Sequence, residues 1–264
     1  MADIDGAIGY VVAHGDPVDR ARLSYLRSGI APPAEVVTKA ELGQAPGGGW
    51  PAFWAGDMAS VDATCFRLSE LDDLGALDRD PARTALAWLA ARQRPDGTWE
   101  EDGSLAQAAP VWAKPGDPEA RLYLTSNAGF WLAVSFPEDG QNPHAAVVAR
   151  ATQAFRAAIR DDGTWPSYLV AGWLGAALLY HAGWFYESAQ VQVVLAERVP
   201  DMTPAEVAWL AAAMRRVGMS SDDWLLTAAR KRLTETQRSD GGWPSDDGPA
   251  FDVHTTLAAI RGLR

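Results

Sequence analysis

The chain has 264 residues, 48% of them hydrophobic, enough to bury a sizeable core in one large domain or two small ones. Its 23 Lys and Arg against 34 Asp and Glu leave a formal charge of −11, which argues against nucleic acid and against electrostatic attachment to anionic lipid. One cysteine, Cys65, excludes an internal disulfide framework and a multi-cysteine zinc site.

The opening segment, MADIDGAIGYVVAHGD, is acidic and has no basic n-region, so a cytoplasmic protein without a signal peptide is expected. Alanine-rich stretches with helical spacing alternate with Gly, Pro and Asp loops. They predict helices over 3–13, 17–28, 33–43, 58–74, 80–93, 117–135, 142–158, 167–182, 186–198, 203–217, 221–238 and 251–263. No stretch alternates convincingly as a strand. Pro17, Pro33, Pro81, Pro118, Pro143 and Pro204 sit near first turns, where a missing amide costs nothing. Asp16, Asp80, Asp117, Asn142, Thr203 and Asp252 are candidate N-caps or near-caps. The uncharged segment 168–186 approaches the length of a membrane span. His181, Gly183 and the aromatics behind them imply a turn instead, so a buried helix and no integral membrane span are expected.

A pattern Gln-x-x-x-Gly-x-Trp occurs at 44–50, 93–99 and 237–243, and at 159–165 with Ile159 in place of Gln. Internal repetition of this kind determines architecture. Each copy follows one helix of a pair and precedes the next. Gly permits the tight reversal, Trp can pack its face on the paired helices, and Gln can bond exposed amides at the next helix start. Helices 33–43, 80–93, 142–158 and 221–238 should then be outer. Helices 17–28, 58–74, 117–135, 167–182, 203–217 and 251–263 should be inner. The expectation is an all-α (α/α)6 toroid forming a single domain over 1–264.

Over roughly 34–264 these repeats resemble those of squalene–hopene cyclases, class II terpene cyclases and protein prenyltransferase β subunits. The chain is too short for the second helical domain of full squalene cyclases and is closer in size to a lone class II β domain. The resemblance implies an apolar, isoprenoid-like small molecule in the central cavity, at a mouth lined by inner-helix N-termini. It implies no cofactor, and a homo-oligomer is compatible with it.

Aligning the inner-helix starts puts Asp19, Asp62, Asn127, Leu169, Glu206 and His254 at a third position. Five of the six are polar, a gathering that suits acid–base chemistry. The acids among them are equally the first-turn partners a helix dipole favours. His254 opposes that dipole unless it is neutral or paired with Asp62, Glu206 or Asp252.

Class II terpene cyclases carry Asp-x-Asp-Asp or Asp-x-Asp-Thr-Thr at an inner-helix start, and the middle Asp protonates an alkene or epoxide. Ser60-Val61-Asp62-Ala63-Thr64 keeps that Asp but has Ser for the first. Asp252-Val253-His254-Thr255-Thr256 keeps the first Asp and both threonines but has His for the acid. The resemblance therefore implies Asp62 as acid and His254 as base or orienting partner. Asp19, Asn127, Tyr168, Trp173, Glu206, Phe251 and Asp252 would line the site.

Trp54, Trp112, Tyr123, Phe130, Trp131, Tyr168, Trp173, Trp209 and Phe251 lie on or beside inner-helix starts, where aromatic faces can steady carbocations or simply pack. The prenyltransferase branch uses Asp, Cys and His on zinc. Asp62, Cys65 and His254 have the residue types, but the Asp-to-Cys spacing is three where the family has two, and no metal is expected. Arg67, Lys114 and Arg121 are the basic residues nearest a diphosphate subsite. Two other functions stay open. One is a non-catalytic binder of an apolar ligand or partner. The other is a carbohydrate-active enzyme with Asp62 and Glu206 as paired carboxylates.

Overall fold

The computed structural model describes residues 1–136 and 141–264. Among them are twelve α-helices: α1 Ile4–His14, α2 Pro17–Ser28, α3 Ala34–Glu41, α4 Val61–Asp72, α5 Asp80–Ala91, α6 Pro118–Val134, α7 Ala145–Ala158, α8 Leu169–His181, α9 Phe185–Arg198, α10 Pro204–Arg216, α11 Trp224–Thr236 and α12 Asp252–Leu263. Each predicted helix is present; α2 matches its predicted bounds, α1 ends one residue later and α9 starts one residue earlier than predicted, and most other ends are trimmed by one to three residues, where terminal turns give way to caps. Asp16, Asp117 and Thr203 cap α2, α6 and α10 through their side chains. Asp80 and Asp252 instead occupy the first helical position, and Asn142 lies two residues before the His144 cap position. A ladder not anticipated in the sequence pairs β1 Trp50–Pro51 with β2 Ala59–Ser60, antiparallel. It closes the loop that carries the first repeat copy.

The chain divides into two compact units, Met1–Val36 with Gln192–Arg264, and Val37–Val191; the boundaries fall inside α3 and α9. In the second unit α4 packs on α6 and α6 on α8, with α7 against both. Burial follows the inner and outer assignment: thirteen of seventeen α6 residues are buried, against three of fourteen in α7. In the first unit α12 packs on α10, α1 and α2, with α11 against α10 and α12. α8, within the uncharged segment, ends at His181 and turns at Gly183 (φ 80°). No helix among the described residues is long and apolar enough to cross a membrane.

The repeat glutamines do a different job from the one expected. Gln44 Nε2 donates to Gly48 O (2.6 Å) in its own loop and to Pro81 O (2.8 Å) in the first turn of α5. Gln93 does the same with Gly97 O (3.1 Å) and Val147 O (2.8 Å) in α7. Gln237 bonds Gly241 O (2.8 Å) and Asp3 O (2.7 Å), and its Oε1 accepts from Asp3 N (2.7 Å) at the cap of α1. The amide therefore clamps its own turn to the start of the next outer helix, chiefly through carbonyls. A primary amide has two N–H donors on one nitrogen and can hold two carbonyls at once. Where Gln is lost, at Ile159, Arg156 takes over: its guanidinium bonds Glu187 Oε1 (2.7 Å) and lies 4.0 Å over the Trp184 ring.

Candidate active site

The site is set by the four repeat tryptophans, all buried. Trp50 N donates to Thr64 Oγ1 (2.9 Å), and that hydroxyl donates to Ser60 O (2.6 Å) one turn back. Trp99 and Thr125 repeat the arrangement (3.1 Å, then 2.7 Å to Arg121 O), as do Trp243 and Thr256 (3.1 Å, then 2.8 Å to Asp252 O). The fourth copy differs: Trp165 Nε1 donates to Tyr168 O (2.9 Å), and its ring lies so close to Gly172 that a Cβ there would stand 2.0 Å from it.

These threonines give three inner helices a common register. Asp62, Tyr123 and His254 each stand two residues before their threonine. That corrects the alignment by helix starts, which put Asn127 at this station. That alignment opened its α6 block at Thr125 and so matched Thr125 to Ser60, whereas the tryptophan amides match Thr125 to Thr64, one turn further along α4. Tyr123, which sequence reasoning gave no more than a packing or cation-facing part, is the residue opposite Asp62.

Asp62 lies in the first turn of α4, half-buried. Its Oδ1 accepts from the Tyr123 hydroxyl at 2.5 Å and its Oδ2 from Trp112 Nε1 at 3.2 Å. Asn127 Nδ2, one turn further along α6, donates to the Tyr123 oxygen at 3.2 Å. The phenol is buried, which pushes its pKa well above the ordinary value; the Asp62 charge and hydrogen bond act in the same direction. It stays a donor. Cys65, one turn along α4, is fully buried, and burial, Asp62 and Glu101 together push its thiol well up. Those forces oppose the thiolate that zinc ligation needs.

Glu101 is a component that sequence reasoning missed. It stands two residues after the second repeat Trp and is 4% exposed. Its carboxylate accepts from Ser60 Oγ (2.7 Å), Val61 N (2.9 Å) and Asp62 N (3.0 Å) at the start of α4. Burial raises its pKa, partly offset by these three donors, and the Asp62 charge raises it further.

The other expected residues fall as follows. In the second unit, Tyr168 OH donates to Val111 O (3.1 Å), beside Trp112, and Trp173 is buried in α8. In the first unit, Asp19 and Glu206 close capping boxes, accepting from Asp16 N (3.1 Å) and Thr203 N (2.9 Å). Both therefore serve their own helix starts. Asp252 is buried and accepts from Arg238 (2.7 Å) and Ser245 N (2.7 Å). His254 Nδ1 lies 2.7 Å from an NH1 of the buried Arg22, which also reaches Asp19 (3.3 Å). A guanidinium can only donate, so Nδ1 is the acceptor and the ring proton sits on Nε2. At its helix start the ring therefore meets Arg22 through its unprotonated nitrogen. Phe251 is partly exposed, its ring 6.0 Å from the His254 ring.

Chemically, Asp62 is a carboxyl group whose two oxygens each meet a donor that favours the ionised form.

No family model and no curated protein matches the chain. Among solved structures it is similar to a protein from Actinoplanes, at 17% identity over 99% of this chain and 97% of that one, TM-score 0.64. It is also similar to the apo type II terpene cyclase MstE from Scytonema, at 16% identity over 98% and 95%, TM-score 0.65. A variant of MstE in complex with geranylgeranyl dihydroxybenzoate, its substrate, matches at 17% identity over 98% and 95%, TM-score 0.61. At such identities the likeness shows the fold, and that fold is the all-α, toroid-like one of the type II terpene cyclase.

Proposed function

We propose that the chain is a terpene-cyclase-like enzyme that protonates an isoprenoid or similar apolar substrate and lets it cyclise or isomerise. The observation that carries this reading is the Asp62 carboxyl held between the Tyr123 hydroxyl and the Trp112 indole. The fold likeness to MstE, which binds a geranylgeranyl compound, supports the substrate class.

In this reading protonated Asp62 gives its proton to an alkene carbon or an epoxide oxygen. A C–H or O–H bond forms, the π or C–O bond breaks, and a carbocation remains. Tyr123 and Trp112 hold the carboxylate left behind, as preorganised donors placed where charge develops. The partly exposed face of Trp112 offers a cation–π partner. Loss of a proton from the final cation ends the reaction. His254, with Nδ1 engaged by Arg22, serves as a neutral Nε2–H donor that orients polar groups, not as the base. The whole chain, 1–264, acts as one cytoplasmic domain.

The test is incubation with linear isoprenoids, their epoxides and their diphosphates, read by mass spectrometry, with Asp62→Asn in parallel. An isomeric or hydrated product, reduced by about 10²–10⁴-fold in the variant, is expected. Undiminished turnover by Asp62→Asn removes Asp62 from the role. A panel that yields bound ligand but no product favours the binding protein instead. The carbohydrate reading is weakened because Glu206, its second carboxylate, is already tied to Thr203.

A further inference from the structure

The Asp-x-Asp pattern is broken in Ser60-Val61-Asp62, yet a carboxylate is present at the start of α4. It comes from Glu101, two residues past the Trp99 of the next repeat copy. Ser60 Oγ, Val61 N and Asp62 N all donate to it, at 2.7, 2.9 and 3.0 Å. The helix start at the third repeat copy shows the alternative. There the residue in the place of Ser60, four before the register threonine, is Asp252, and it carries its own buried carboxylate. The same station is thus served by a residue of the helix in one repeat and by a residue of a distant loop in the other.

We propose that Glu101 is a positioning residue for Asp62: its carboxylate anchors the α4 amide carrying Asp62 and sets a fixed negative charge behind the acid. This rests on the reading of Asp62 as the proton donor. The physical need is clear. Tyr123 and Trp112 both donate to the Asp62 carboxyl, and such donors favour a carboxylate over its acid. A like charge nearby favours the protonated form of a carboxyl group; in Glu101 burial is the main cause of the raised pKa, and the Asp62 charge adds to it. Cys65 and Tyr123 are both coupled to Asp62 and both have their pKa pushed well up, so neither adds a charge beside it. Glu101 is one residue from Glu100, which is occupied elsewhere by Arg94 and Arg121.

The experiment is ¹³C-carboxyl NMR titration of Asp62 in the wild-type chain and in Glu101→Gln, with Glu101→Asp as the conservative variant. Asp62 is expected to titrate about one pH unit lower in Glu101→Gln and to return part of the way in Glu101→Asp. On an isoprenoid that is turned over, Glu101→Gln should lower kcat with KM unchanged, since Glu101 touches no substrate. An Asp62 titration that does not move in Glu101→Gln overturns the proposal, even if the variant is less stable or less active. Should Glu101→Gln fail to fold, the reciprocal measurement decides. Glu101 should titrate lower in Asp62→Asn than in wild type, and an unmoved Glu101 refutes the coupling. Because the titrations need no substrate, a chain that turns over no isoprenoid would defeat the functional reading while leaving the Glu101–Asp62 coupling measured on its own.

Discussion

Asp62 and Tyr123 occupy the same station of two packed helices, each two residues before the threonine that receives a repeat tryptophan's amide, and their side chains meet at 2.5 Å. The repeat that builds the scaffold therefore also builds the acid–donor pair. Replacing Tyr123 by Phe keeps the ring and removes the donor. The phenol is a donor aimed at the carboxylate that proton transfer leaves behind, so its loss removes a preorganised stabilising group. Turnover should fall on the order of 10². A Tyr123→Phe enzyme with wild-type kcat would show that the phenol has no part in the proton transfer.

Alkaline pH should unfold the chain through Cys65 and Tyr123. Their ordinary values are 9.0 and 10.0, and both are raised well above these in the fold. Below about pH 9 both groups are neutral in folded and unfolded chains, and their stabilising contribution is fully present. As pH rises further the unfolded chain releases protons that the fold retains, so stability drops. Melting temperatures from about pH 8 to 11 should fall, and less steeply in Cys65→Ala and Tyr123→Phe. Equal slopes in the three proteins would contradict the assignment.

Thr125→Val keeps the shape of the side chain but leaves the buried Trp99 amide without its 3.1 Å acceptor. The expected loss is about 1–3 kcal/mol by urea unfolding. A loss below about 0.5 kcal/mol would mean that the threonine register follows from helix packing and does not help to set it.

Gln237→Ala removes two hydrogen bonds joining the last repeat loop to Asp3 at the start of α1, and a third to Gly241 within the loop. They are partly exposed, so about 1–2 kcal/mol is expected. Amide exchange should accelerate in α1 before it does in α12, because α1 loses its anchor while α12 keeps its neighbours. Unchanged exchange across Ile4–His14 would show the clamp to be dispensable.

The sequence by itself determined the twelve helices, their order and the inner and outer roles of most of them. Those features are written in local periodicity, caps and a seven-residue repeat, and local signals survive without tertiary context. It also singled out Asp62, because a degenerate motif still marks a position. It could not settle which residues meet that carboxylate. Thr125 resembles Ser60 as well as Thr64, so the register had to come from the Trp99–Thr125 bond, and that bond puts Tyr123 at the station where the alignment had put Asn127. Glu101 and Trp112 arrive from loops whose course depends on packing, with no periodic signal to place them. Asp19 and Glu206, three residues after their caps Asp16 and Thr203, fold back in capping boxes, while Asp62, two after its cap Ser60, reaches across to a neighbouring helix. The cap spacing releases Asp62 from its own helix start but does not name its partner. The side chains packed around it do that, and those are brought together only by the fold.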